Sequence, residues 1–319
     1  MERSALRKLA EDGLLLTSRA LTAGWPRRSL TRALRAEGWA PLRHGVWLEP
    51  GRNPDHYTRL RATQLTEPRL VVSHLSAAAL WHIETLTRAD RHPLEFIDPG
   101  LTIRRTNPGI RVHRMPLAAA EVLNRQGLHV TSPARTLADL LRAGPRDQAV
   151  VAVDSALGYR RTGRARRAPL TDLPTITGAL DRPLQGASRA RDWLRLCDAR
   201  AGSPAETIAR LRMYDAGLHP VSQAELLTPS GCRVILDFLF RREGLAVEIE
   251  GYAYHGTRDS HRRDVIRFNQ IVQCPEVRRL LRFTAEDVFH RPDDMLHEIR
   301  TALTADAAPK RGAAQTPSL

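Results

Sequence analysis

The stretch from Val234 to His255 constrains this chain more than any other. It reads Val-Ile-Leu-Asp-Phe-Leu-Phe, then Arg-Arg-Glu-Gly, then Leu-Ala-Val-Glu-Ile-Glu-Gly-Tyr-Ala-Tyr-His. Two apolar, β-prone runs flank a short break of turn character, which predicts a β-hairpin. Asp237, Glu248 and Glu250 lie inside it. Glu248 and Glu250 are two apart, so a strand points them to one face. Asp237 interrupts the apolar run Ile235, Leu236, Phe238, Leu239, Phe240. An ionised carboxylate there costs several kcal/mol unless it is paired or bound to a metal. A hairpin that gathers three acids is a candidate divalent-metal site, and hence a candidate for phosphodiester cleavage.

The charge distribution bears on the partner. The chain has 319 residues, a net charge of +14 and only two lysines, Lys8 and Lys310, so arginine carries nearly all the positive charge. Residues 1–141 hold 21 Lys+Arg against 13 Asp+Glu, 142–200 hold 12 against 6, and 201–305 hold 14 against 15. The positive field is therefore upstream and the acid-rich hairpin sits in a nearly neutral region. This predicts a polyanionic partner, double-stranded DNA, attracted mainly by the N-terminal two-thirds. No apolar run approaches a transmembrane length, and Met1 to Leu16 carries Glu2, Glu11 and Asp12 with no signal-peptide core. Three scattered cysteines, Cys197, Cys232 and Cys274, form no CxxC pair. A cytoplasmic protein without a membrane partner is expected.

Short helical patterns cover residues 5–23, and Trp25-Pro26 opens a helix through Glu37. Leu30, Ala33 and Leu34 have helical spacing, with Arg27, Arg28, Arg32 and Arg35 mainly on the other side. Trp39 to Leu48 reads as a small hairpin. Three helices followed by such a ribbon is the plan of a winged helix-turn-helix, in which the arginine-bearing helix enters the major groove and Arg43 or His44 touches backbone. Residues 55–83 read as helical, clearest over Val71–Trp81. His74 and His82 read as structural, since no carboxylate or cysteine lies at ligand spacing from them. Short strands are expected at Leu94–Ile97, Leu101–Ile103 and Ile110–His113, and a helix over 131–142 with Ser132 as cap and Pro133 at its first position. A helix is expected over 147–158, and Arg160 to Arg167 reads as a solvated basic loop.

Further on, a helix is expected over 186–199, and Ser203-Pro204-Ala205-Glu206 starts another. Glu206, three residues after its cap, suits a capping box as well as a site. The hairpin, a helix near 259–273, a strand over 277–283 and a helix near 285–304 complete an α-β-β-α-β order. The fold class expected is multidomain α/β. It comprises an N-terminal winged helix-turn-helix (1–50), an α+β middle domain (51–180), a linker helix (181–200), a C-terminal α-β-β-α-β restriction-endonuclease-like mixed sheet (201–305) and a tail (306–319).

Over residues 201–305 the chain resembles the PD-(D/E)XK nuclease fold, and in particular the small domains related to very-short-patch-repair (Vsr) endonucleases. The resemblance rests on Ser203–Glu206, Leu236-Asp237-Phe238, Val247-Glu248-Ile249-Glu250-Gly251, His255, Arg263-Asp264 with Arg267 and Asn269, and Leu281–Thr284 followed by Asp287-Val288. It implies a Mg²⁺-dependent (or Mn²⁺-dependent) DNA endonuclease, with Asp237 and Glu248 as metal ligands and Glu206 in the site. Glu250 would be a further ligand, direct or through water, and His255 a general base or acid. Arg263 would face a phosphate or pair with an acid. Arg267 is expected to pair, with Asp259, Asp264 or Glu206. One departure stands out: the usual motif has lysine where this chain has Glu250. The Vsr-like relatives also lack that lysine and rely on histidine.

Residues 5–157 resemble the AbiEi family of antitoxins, through the helix-turn-helix region, Arg43-His44-Gly45-Val46-Trp47 and Thr131–Asp139. That resemblance implies autoregulatory DNA binding. Two functions follow: a DNA endonuclease in phage defence or repair, or a non-enzymatic antitoxin-like transcriptional regulator whose C-terminal domain binds DNA or a protein partner. An RNA-directed nuclease is weaker, because no aromatic stacking platform is visible.

Overall fold

The computed structural model describes residues 4–100, 108–162, 165–250 and 258–304. The chain divides into two compact units, residues 1–152 with 170–192 and residues 153–169 with 193–319. No helix among the described residues is long and apolar enough to cross a membrane, and all three cysteines are free.

The first unit opens with helix α1 (Ser4–Lys8), strand β1 (Leu14–Leu16), helices α2 (Thr17–Thr22) and α3 (Arg27–Ala36), and strands β2 (Ala40–Arg43) and β3 (Val46–Leu48). The hairpin expected at Trp39–Leu48 is present. Gly45 turns it at a φ of +77°, a left-handed conformation cheap only for glycine. Leu14–Leu16, not anticipated as a strand, pairs antiparallel with β3 to make the sheet order β1-β3-β2. Leu30 and Leu34, one helical turn apart on α3, pack with Leu6, Leu15, Ala20, Trp39 and Trp47. Each such side chain contributes about 1.5–3 kcal/mol by leaving water.

Next come α4 (His56–Thr66), β4 (Val71–Val72), α5 (His74–Leu80), β5 (Leu94–Asp98), β6 (Ile110–Arg114), β7 (Val122–Arg125), β8 (Leu128–Thr131), α6 (Pro133–Ala143), α7 (Arg146–Leu157), α8 (Leu173–Ala179) and α9 (Ala187–Leu194). The strands form a mixed sheet ordered β6-β5-β4-β8-β7. The helical reading of 55–83 is corrected here: Val71 and Val72 are paired with Phe96, Ile97 and Val130. Tertiary pairing of two β-branched residues outweighs the helical pattern around them. The β7–β8 hairpin, also unanticipated, turns at Gln126 and Gly127, both at positive φ (53° and 78°). The expected Ser132 cap holds, its hydroxyl accepting the Arg135 N–H. The strand expected at Leu101–Ile103 lies outside the described residues.

The second unit contains β9 (Arg160–Thr162) and β10 (Ala165–Arg167), then α10 (Pro204–Asp215), β11 (Val221–Leu227), β12 (Arg233–Phe240), β13 (Leu245–Glu250), α11 (Arg258–Gln273), β14 (Arg279–Thr284), α12 (Ala285–His290) and α13 (Pro292–Thr304). The run Arg160–Arg167, expected as a loop, forms the antiparallel β9–β10 pair, with Arg160 buried. The single helix expected over 285–304 is two, because the helix-incompatible ring of Pro292 restarts the chain after Arg291. The main sheet is ordered β11-β12-β13-β14. The expected hairpin is its centre: Phe238 faces Val247 and Phe240 faces Leu245 in antiparallel register. β14 runs parallel to β13, with Glu248 beside Arg282 and Glu250 beside Thr284. β11 was not anticipated, its apolar residues alternating with Ser222, Gln223 and Glu225 on a sheet edge. Ala224, Leu226, Val234, Leu236, Leu239 and Ala246 pack with Ile271 of α11 and with Cys274 just past its end.

Candidate functional site

The acids of the second unit meet at the middle of its sheet. Ser203 caps α10, accepting the Glu206 N–H at 3.2 Å, and the cap sets Glu206 in the first turn. The Glu206 side chain turns back to accept the Gly202 N–H at 2.7 Å. This is one residue short of a full capping box. Glu206 also reaches the sheet: the Gln223 amide donates to Glu206 Oε2 at 2.9 Å and to Asp237 Oδ1 at 3.2 Å. Gln223 holds a φ of +48°, a strained value for a residue inside a strand.

Asp237 and Glu248 interlock across the hairpin. The Asp237 N–H donates to Glu248 Oε1 at 3.0 Å, and the Ile249 N–H donates to Asp237 Oδ2 at 2.8 Å. Two side chains thus take hydrogen bonds that a regular ladder would make between backbones. Burial, then the Glu206 and Glu248 carboxylates, push Asp237 up to about 7. Burial also raises Glu206.

Arg267 of α11 closes the cluster. Its Nη2 lies 2.7 Å from Glu248 Oε2 and 2.8 Å from the Ile235 carbonyl, and its Nε lies 3.2 Å from Glu248 Oε2. Burial opposes the guanidinium charge, but Glu248, Asp237 and Glu206 together outweigh it and raise Arg267. Arg267 therefore pairs, as expected, and its described carboxylate partner is Glu248. Glu250 goes elsewhere, to Arg282 at 2.6 Å. The structure thus joins Glu206, Asp237 and Glu248 and gives Glu250 a partner of its own. His255 lies outside the described residues, as do the side chains of Asp259, Arg263 and Asp264.

The first unit carries the arginines singled out in the sequence. Arg27, Arg28, Arg32 and Arg35 are exposed on α3. A groove beside α3 is lined by Arg27, Arg35, Arg43 and His44 together with Thr17 and Thr31. Arg43 is half-buried, its Nε and Nη1 have no hydrogen-bond partner, and burial holds its guanidinium below the usual value. Unpaired, partly desolvated donors of this kind suit an anionic ligand.

A second titratable cluster escaped the sequence. His74, the first residue of α5, is buried and stacks on His113 of β6, with ring centroids 3.8 Å apart and planes 19° from parallel. Glu95 of β5 lies beside them, Oε1 being 3.3 Å from His113 Nε2, while Oε2 accepts the Leu75 N–H at 2.9 Å. His74 is held at φ +48° and its Nδ1 lies 3.0 Å from Ser73 Oγ. Burial pushes His74 down to about 4. No carboxylate lies at ligand spacing from His74 along the chain, yet the fold brings Glu95 and His113 to it from two strands.

These features define a mixed α/β protein of two compact units, with an acid cluster in one and a histidine–carboxylate cluster in the other. No family model matches the chain. It is 30% identical over 249 residues to the uncharacterized protein Rv2248 of Mycobacterium tuberculosis strain H37Rv, covering 77% of this chain and 86% of that protein. The uncharacterized protein MT2308 of strain CDC 1551 matches to the same extent. The chain belongs to the family of these mycobacterial proteins. The crystal structure of the RV2827C protein of M. tuberculosis overlays with a TM-score of 0.43 and 20% identity, over 71% of this chain and 89% of that one, a likeness too slight to carry an argument.

Proposed function

We propose that this protein binds double-stranded DNA through its first unit, as a winged helix does, and cleaves it with a Mg²⁺-dependent, Vsr-like endonuclease domain in its second. The observation that carries the reading is the convergence of Glu206, Asp237 and Glu248, tied together by the Gln223 amide and the Asp237 N–H. Carboxylates so close repel one another, and a divalent cation relieves that repulsion. The donors are all oxygens, which suits Mg²⁺. Asp237 and Glu248 would hold the ion, and Glu206 would orient what it binds. Bound there, the ion would polarise a phosphate and lower the pKa of water. His255 is the proposed proton acceptor. The groove with Arg27, Arg35, Arg43 and His44 supports phosphate binding.

The test is cleavage of supercoiled plasmid and mismatched duplex with Mg²⁺ or Mn²⁺, comparing the protein with Asp237→Ala. Metal-dependent nicking lost in the variant is the expected result. A regulator with a silent nuclease fold is the second reading. It is favoured by the Arg267–Glu248 ion pair, which satisfies one acid without a metal. DNA binding with no cleavage by either protein selects it.

A further inference from the structure

Three sequence-distant side chains meet because of the sheet order. β5 lies between β4 and β6, so the start of α5, two residues past β4, comes to one place with a residue on β5 and one on β6. His74, Glu95 and His113 occupy those positions, and their ligand atoms all lie within 4.8 Å of one another. We propose that these three residues form a binding site for one Zn²⁺-class divalent ion, distinct in ligand chemistry from the all-carboxylate cluster of the second unit.

Two imidazole nitrogens and one carboxylate oxygen form a ligand set that borderline transition ions prefer and Mg²⁺ does not. The spacing is partly set in advance. Ligands about 2.0–2.1 Å from a tetrahedral ion stand roughly 3.3 Å apart, and Glu95 Oε1 is 3.3 Å from His113 Nε2. The surroundings orient the ligands. Glu95 is fixed by the Leu75 N–H on its other oxygen, and Ser73 Oγ sits at His74 Nδ1. Fixed outer partners of this kind tune metal ligands. His74 and Glu95 are buried, while His113 is 21% exposed in its side chain. Parallel rings cannot both aim a lone pair at one ion, so binding turns one ring relative to the other while Glu95 stays within reach of His113. His74 and His113 line an open cleft with Arg114, Asp139, Arg142 and Arg189. The cleft leaves a fourth coordination position for water or an anionic ligand, the arrangement of catalytic rather than structural zinc sites.

The experiment titrates Zn²⁺ into chelator-stripped full-length protein against a competing indicator, and Co²⁺ as an optical probe. One equivalent should bind, and the Co²⁺ form should show the visible bands of tetrahedral imidazole ligation. His113→Ala and Glu95→Gln should each weaken Zn²⁺ at least tenfold, whereas Asp237→Ala should leave this equivalent in place. Absence of tetrahedral Co²⁺ bands in the parent protein overturns the proposal without relying on any variant. Zn²⁺ affinity unchanged in both folded variants, or lost in Asp237→Ala, also overturns it.

Discussion

Arg267 binds Glu248 through two N–H groups, the shorter contact being 2.7 Å, from a helix that also packs its Ile271 against the sheet. The guanidinium places a cationic charge beside Glu248. On the proposed reading, a metal at the acids would have to compete with this guanidinium for Glu248.

Removing that arginine separates the two roles. Arg267→Ala leaves Glu248 buried beside Asp237 without this ion pair, keeping only the Asp237 N–H. Breaking a buried pair costs about 3–5 kcal/mol. Arg267 is 46% exposed, so solvent screening reduces the expected loss to about 1–2 kcal/mol. In the same variant the acids should bind Mg²⁺ or Mn²⁺ about tenfold more tightly, the competing cation being gone. Urea unfolding measures the first effect and calorimetric titration the second.

Metal binding at the acids should depend on pH. With Asp237 raised to about 7, the free protein holds a proton there in acid solution, and an ion must displace it. Affinity should rise about tenfold per pH unit below 7 and level off above 8. Titrations in buffers of different ionisation enthalpy should register the proton released.

Asp237 and His74 should have opposite effects on stability. Asp237 binds its proton more tightly folded than unfolded, so its contribution falls as pH rises from about 4 to about 7. Asp237→Asn should be more stable than the parent at pH 8 and close to it at pH 4. His74, pushed down to about 4, stays neutral when folded but protonates at the ordinary value when unfolded. Its contribution is complete above about 6.5 and is lost as pH falls toward 4. His74→Gln should flatten that loss. The two windows overlap, so each is read as the difference between variant and parent in urea unfolding followed at several pH values.

DNA binding should respond to the groove beside α3. Arg43→Ala and Arg35→Ala should each weaken binding to any duplex by a similar factor and reduce the slope of log K against log salt by about one. Fluorescence anisotropy over a salt series reads both. An unchanged slope would remove these residues from the phosphate contacts.

Local chemistry made much of this protein legible in the chain. The turn after Phe240, the caps at Ser132 and Ser203 and the Leu30–Leu34 spacing depend on neighbours a few residues away, and the structure has each of them. Asp237 and Glu248 stood out because acids in apolar strands demand a partner. What the sequence could not name was the partner. Arg267 was legible as a pairing residue, but its choice of Glu248 is made by how α11 lies on the sheet. Gln223 sits on an edge strand whose polar residues hid it, and it matters because β11 pairs with β12. His74, Glu95 and His113 share no periodicity at all. Their meeting follows from a strand order that brings β4, β5 and β6 side by side. Periodicity and capping act over a helical turn or a strand pleat, whereas a cluster built from separate strands exists only once non-local pairing has closed the intervening loops.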